Sequence, residues 1–375
     1  MRMPLFYLAS TMVAGTYGLT FVIPSLFEQI GGTEADVGNV FAIIAIATIT
    51  SLMFSGYWTN KLGHMVTISI SSLVAGLSLY LFAIAREVGL VTYLAGGALG
   101  AGYALFYTLT PVVIAHVTDA TSRIRAFTLF SVAIMVGLGL APVLNYYLIA
   151  NGHQVAQSFE LVAISCWVSA VIFAGIARMF PSSGAHETRL SLKEVIAVFR
   201  SRAGVPILMV GLGASVFAGV TNFQVVLAKQ NGLQYSDYFL MYTAVVVLFR
   251  VFFSTFTNKF KPYRVMCVLL IVMTVSVCAF LITGENRALY LVASLMFGLG
   301  YGVSYPIVKA TASLEADPAL LSQTMQLFGL AYFVGVFGFP FIAGWVVFTS
   351  GMKMLLILAA FLAGLEAFLA YYKGR

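Results

Sequence analysis

Gly100-Ala101-Gly102-Tyr103-Ala104-Leu105-Phe106-Tyr107 returns as Gly298-Leu299-Gly300-Tyr301-Gly302-Val303-Ser304-Tyr305, 198 residues later in the chain. The same shift carries Thr59-Asn60-Lys61 onto Thr257-Asn258-Lys259. It also pairs Leu129 with Leu327, Phe130 with Phe328, Ala133 with Ala331, Val136 with Val334, Gly137 with Gly335 and Pro142 with Pro340. Shared hydrophobicity does not produce three blocks with one offset. The chain reads as a duplication. In a membrane protein, a duplicated half points to two helix bundles around a central pathway.

Composition puts the repeat in a bilayer. Of 375 residues, 61% are hydrophobic and 9% charged, and mean hydropathy is +0.98. Soluble domains carry roughly 25% charged residues, so a water-soluble globule is excluded. A spanning helix needs about 20 apolar residues. Twelve such segments are expected, at 4–27, 37–58, 65–85, 89–114, 124–149, 158–180, 204–228, 237–257, 264–283, 288–312, 322–349 and 352–372. The expected fold is all-α integral membrane, with twelve transmembrane helices in two pseudo-symmetric six-helix bundles. Its divisions are an N-terminal bundle over 1–180, a linker over 181–203 and a C-terminal bundle over 204–375. Arg2 before an apolar run resembles the start of a signal peptide, but the run is long and more spans follow, so it reads as an uncleaved first helix.

The net charge of +7 reflects topology. With both termini in the cytoplasm, fifteen Lys and Arg residues lie on cytoplasmic segments and helix ends, against four on the opposite side. That is a positive-inside distribution, and nucleic acid is not an expected partner. In the linker, Ser191 and Glu194 fit a capping box. Leu192, Val195, Ile196 and Phe199 follow helical spacing opposite Lys193 and Arg200. A short amphipathic helix on the cytoplasmic membrane face is expected there.

Gly56-Tyr57-Trp58-Thr59-Asn60-Lys61-Leu62-Gly63-His64 resembles the loop signature between helices 2 and 3 of the major facilitator superfamily. Gly56, Lys61 and Gly63 match, His64 matches in part, and Asn60 replaces the family's acidic residue. Thr257-Asn258-Lys259 is a degenerate second copy. The resemblance covers essentially the whole chain and implies a carrier with the family's fold. It also implies a gating role for Gly56, Asn60, Lys61, Gly63, Asn258 and Lys259. Gly137 to Asn145 partly resembles the Gly/Pro-rich fifth-helix motif of the family's antiporters. Helix 4 lacks the intramembrane arginine of many proton-linked members.

By the same resemblance, the first and fourth helices of each half line the cavity. Helix 1 then offers Thr16, Tyr17 and Thr20, and helix 4 offers Tyr103 and Tyr107 one turn apart. Helix 7 offers Thr221, Asn222 and Gln224, and helix 10 offers Tyr301, Tyr305 and Lys309. Tyrosines with a few amides would supply apolar surface and sparse hydrogen bonds. Each of those tyrosines could equally pack between helices. Arg250, within the eighth segment, could attract an anionic substrate, snorkel to headgroups or pair with a buried acid. Glu28, after Pro24, is the coupling candidate, with a solvated helix end as its other reading.

Cys166, Cys267 and Cys278 lack metal-ligand spacing, and the four histidines are scattered, so neither a metal site nor a cofactor is expected. No catalytic constellation is evident, and an enzyme is not expected. The expected function is secondary active transport of a small amphiphilic or anionic organic solute by alternating access. Efflux is the favoured direction, protons are an open choice of coupling ion, and a monomer in a bacterial inner membrane is the expected setting. Proton-coupled uptake of a metabolite, and a non-transporting sensor on the same fold, are the other readings.

Overall fold

The computed structural model describes residues 2–180, 191–252 and 260–375, apart from the side chains of residues 120, 121 and 124. Helix accounts for 89% of the structure, and no strand occurs among the described residues. The chain divides into two compact units, Met1–Glu187 and Thr188–Arg375.

The first unit contains α1 (Arg2–Thr20), α2 (Ile23–Gln29), α3 (Glu34–Met53), α4 (Ser55–Leu62), α5 (His64–Ile84), α6 (Leu90–Val117), α7 (Ala120–Ala150) and α8 (Val155–Ile176). The first expected span is broken, because α1 and α2 meet at 55°. Pro24 lies in the first turn of α2, a position that needs no donated N–H. Thr33 and Asp36 form a reciprocal capping box on α3, with bonds of 2.9 and 3.3 Å. Asp119 caps α7 by accepting the Ser122 N–H at 2.8 Å.

The second unit contains α9 (Leu192–Arg200), α10 (Gly204–Asn222), α11 (Gln224–Gln230), α12 (Tyr235–Phe252), α13 (Pro262–Leu281), α14 (Arg287–Phe297), α15 (Val303–Leu314), α16 (Leu321–Phe333) and α17 (Phe339–Gly374). A π turn at Gly298–Gly302 joins α14 to α15, and another at Val334–Gly338 joins α16 to α17. The Ser191–Glu194 capping box forms as its spacing suggests, with the Ser191 N–H donating to the carboxylate at 2.7 Å. α9 belongs to this unit rather than standing apart, for it packs on α10 and α16. Gln323 of α16 donates to Glu194 at 3.1 Å.

Ten helical stretches among the described residues are long and apolar enough to cross a membrane, or eleven with the bent α1–α2 pair counted as one. The longest, Pro318–Gly374, is interrupted at Gly351, whose φ of 81° and ψ of 170° are not helical. The break lies between the last two expected segments. The second expected span is also interrupted, at Phe54, so the expected gating loop over 56–64 is largely the helix α4.

Candidate site: two aromatic ladders on glycine-cleared helices

The opening repeat acts in two ways. Its glycines clear space for neighbouring backbones, and its tyrosines stack. A Cβ on Gly100 would lie 2.3 Å from the Ile44 carbonyl oxygen, and one on Gly102 would lie 2.7 Å from the Ala75 nitrogen. Gly100 therefore seats α6 against α3, and Gly102 seats it against α5. In the second unit a Cβ on Gly298 would lie 2.4 Å from Val245 of α12, and one on Gly300 would lie 2.6 Å from Met273 of α13. The repeated glycines make equivalent contacts in both units. Close approach of this kind drives helix association where lipid removes the hydrophobic force between helices.

With the helices seated, the tyrosines of each repeat fall on one face. Tyr103 stacks on Tyr107, with centroids 5.9 Å apart, and Tyr17 of α1 stacks on Tyr103 at 5.3 Å. In the second unit Phe217 of α10 stacks on Tyr301 at 4.5 Å and 6°. Tyr301 lies 6.2 Å from Tyr305, and Tyr305 lies 5.2 Å from Tyr332. Each unit thus carries an aromatic ladder that runs from its first long helix to its fourth. Phe217 and Tyr332 were missed because the sequence argument followed matched tyrosines. The position equivalent to Phe217 in the first half is Leu19, which gave no signal.

The polar candidates divide into committed and uncommitted groups. Thr20 donates to the Tyr17 carbonyl at 2.7 Å, and the buried Thr16 hydroxyl lies 3.1 Å from the Cys166 sulfur. The Thr221 and Tyr238 hydroxyls bond at 2.8 Å. Asn222 and Gln224 flank Phe223, where the helix breaks with φ −107° and ψ 11°. Asn222 donates to the Ala218 carbonyl at 2.8 Å, and Gln224 accepts from the Tyr290 hydroxyl at 2.9 Å. Oδ1 of Asn222 and Nε2 of Gln224 are buried with no hydrogen-bond partner among the described residues. This break holds a buried acceptor and a buried donor that no described group satisfies.

Arg250 is held by the backbone. Its Nη2 donates to the Gly302 carbonyl at 3.3 Å, at the end of the π turn. Pro306, four residues on, has no N–H to bond that carbonyl, and the guanidinium meets it. At the position equivalent to Arg250 the first half has Leu52, and α6 runs on there without a π turn. Lys309 is exposed on α15, one turn beyond Tyr305. Glu28 is exposed near the end of α2.

In the gating segment, Gly63 takes φ 79°, the left-handed region that favours glycine, and it ends α4. Gly56 is buried, Asn60 and Lys61 are exposed, and the Lys61 ammonium lies 5.8 Å from the Tyr57 ring centroid. Asn258 and Lys259 lie outside the described residues. No group of three metal-binding side chains occurs among the described residues.

The sequence pattern of the Major Facilitator Superfamily matches residues 5–340. The chain belongs to this superfamily. It is similar to an uncharacterized MFS-type transporter, YqjV, of Bacillus subtilis (strain 168), at 21% identity over 344 residues, covering 88% of this chain and 82% of the relative. Its fold is similar to that of a mutant of the nucleoside transporter NupG, with a TM-score of 0.80, 13% identity and full coverage of both chains. It is also similar to the POT family transporter PepTSo, with a TM-score of 0.75 and 13% identity, covering 99% of this chain and 96% of that one. This superfamily member is an integral membrane protein of the transporter type.

Proposed function

We propose that this superfamily member is a secondary active transporter that exports a small amphiphilic organic solute by alternating access, coupled to protons. The duplicated aromatic ladder carries the reading. In each unit a buried stack, Tyr17 on Tyr103 or Phe217 on Tyr301, runs on to a half-buried tyrosine, Tyr107 or Tyr305, that could present an aromatic face to a solute. Flat, partly apolar compounds suit such surfaces, and the open valences of Asn222 and Gln224 supply orientation. The Arg250 contact with Gly302 favours the amphiphilic over the anionic class of solute. Both termini are placed in the cytoplasm of a bacterial cell, with the chain in the inner membrane, on the strength of its charge distribution. Twelve crossings and a monomeric carrier complete the reading.

The test begins with thermal unfolding of purified protein against a panel of nucleosides, dipeptides, aromatic acids and amphiphilic aromatic cations. Flux of each stabilising compound is then measured in liposomes with and without an imposed proton gradient. The expected result is stabilisation by aromatic compounds and gradient-driven flux in the export direction. Gradient-driven flux in the opposite direction would establish uptake. Binding without flux would establish a sensor, and flux indifferent to the gradient would remove proton coupling.

A further inference from the structure

Two acids are buried among the described residues, Asp237 and Glu366. Asp237 accepts two bonds from Arg287, at 2.7 and 3.0 Å, so its charge is matched. Glu366, on α17, is 2% exposed, and its Oε2 has no hydrogen-bond partner. No cation among the described residues pairs with it. The carboxyl lies directly against the backbone of α10. A Cβ on Gly213 would lie 2.8 Å from Oε2, 2.9 Å from Oε1 and 3.1 Å from Cδ. The glycine leaves the space that the acid fills.

This arrangement belongs to one half only. The shift of 198 residues that pairs the two halves sets Gly213 opposite Gly15, where a Cβ would meet the apolar Val162 side chain at 3.0 Å. The position equivalent to Glu366 is Val168. Val168 is exposed, and the polar contacts between α1 and α8 are Thr16 with Cys166 at 3.1 Å and the Ser169 hydroxyl donating to the Ala9 carbonyl at 2.9 Å, so a carboxyl at this contact belongs to the second unit alone. Glu366 lies about 12 Å along the helix axis from the end of α17 at Gly374, within the expected segment 352–372 and toward its C-terminal end.

The elements packed on α17 bring little charge to it. α10 and the π turn at Val334–Gly338 carry no ionisable side chain. On α13, Arg264 and Cys278 are exposed, Tyr263 is bonded to Glu315 and Cys267 is half-buried. α17 itself carries Lys353, just after the break at Gly351, and Tyr371, Tyr372 and Lys373 near its C-terminal end. A carboxyl so buried, with no cation paired to it among the described residues, is costly in its ionised form.

We propose that Glu366 is a proton-binding site that latches α17 to α10. With its proton bound, the acid fits against Gly213. Release of that proton to water leaves a carboxylate that must be solvated, and the two helices part there to admit water. α10 also carries Phe217 of the aromatic ladder and Asn222 at the helix break, so protonation at Glu366 is mechanically linked to the candidate solute site. Its use as the coupling site rests on the transporter reading above; the latch itself does not.

The test uses the full chain in lipid and needs no solute, because the proton is the probe. Infrared spectra across a pH titration are compared for the wild type, Glu366→Gln and Glu366→Asp. The wild type is expected to show a carboxylic-acid C=O band that bleaches reversibly as pH rises. That band should be missing in Glu366→Gln and displaced in Glu366→Asp. Amide hydrogen exchange over residues 209–216, corrected for intrinsic rates, is expected to rise at least about fivefold in the wild type over the same pH range, since exchange reports local opening. It should stay flat in Glu366→Gln. Superimposable spectra, or identical exchange profiles, for the wild type and Glu366→Gln would overturn the latch. Should Glu366→Gln fail to fold, absence of pH dependence in both the wild type and Glu366→Asp would overturn it equally. Gradient-indifferent flux would instead remove the coupling role and leave the titration intact, so the two failures are distinguishable.

Discussion

Glycines and tyrosines in the same short repeat have different consequences at the residue scale, and each can be measured. Gly100→Ala places a Cβ 2.3 Å from a backbone oxygen, whereas a Cβ on Gly97 of the same helix meets nothing closer than 3.9 Å. Overpacking of that kind costs about 1–3 kcal/mol. Gly100→Ala is therefore expected to lower the thermal unfolding midpoint in detergent, with Gly97→Ala neutral or slightly stabilising. For the stacked pair Phe217 and Tyr301, a double-mutant cycle to leucine should show a coupling of about 0.5–1.5 kcal/mol, the range for aromatic pairs. Tyr103, Tyr107, Tyr301 and Tyr305 were legible because helical spacing places residues four apart on one face. Tyr17 was named as a candidate but its contact with Tyr103 was not, and Phe217 was missed, since sequence spacing does not reveal which side chain on another helix meets them.

At the element scale, the linker helix and the π turn were legible to different degrees. The cap of α9 was readable because it is local, with Ser191 and Glu194 three residues apart. The Ser191 N–H and hydroxyl, followed by Gln323, hold the Glu194 carboxyl below the usual carboxylate range. Its contribution is therefore present above the unfolded value of about 4.3 and is lost as pH falls through the lower folded value. Amide exchange in α9, corrected for intrinsic rates, is expected to be unchanged from neutral pH down to about that value and to increase below it. In Glu194→Gln the acid-dependent increase should be absent. The π turn was not read from the sequence, although Pro306 lacks the N–H that would bond the Gly302 carbonyl; the structure adds that Arg250 of α12 meets that carbonyl. Replacing Arg250 with leucine removes a charged donor, at a cost of about 1.5–3 kcal/mol. Faster exchange over 298–305 is the expected sign, and an unchanged profile would show that the contact does not hold the turn.

At the scale of the whole molecule, orientation follows from charge. Reporter domains fused separately to the N- and C-termini are expected to be active only where they remain in the cytoplasm, as the positive-inside rule requires. Reversing either assignment would refute the placement of both termini. Membrane residence, duplication and superfamily membership were determined by the sequence alone, for reasons that need no coordinates. Twenty-residue apolar runs satisfy their backbone only as helices in a bilayer, and an offset repeated in three blocks is a property of the string itself. The tertiary structure decided what each marked residue meets. It seated Gly100 and Gly298 in equivalent clefts, engaged Arg250 with a backbone carbonyl, and left Asn222 and Gln224 with open valences at a helix break. It also buried Glu366 against Gly213, residues far apart in the chain on α17 and α10. Side-chain partners across helices depend on rotation and depth, and hydrophobic periodicity in a membrane constrains both weakly, because lipid and protein interior are equally apolar.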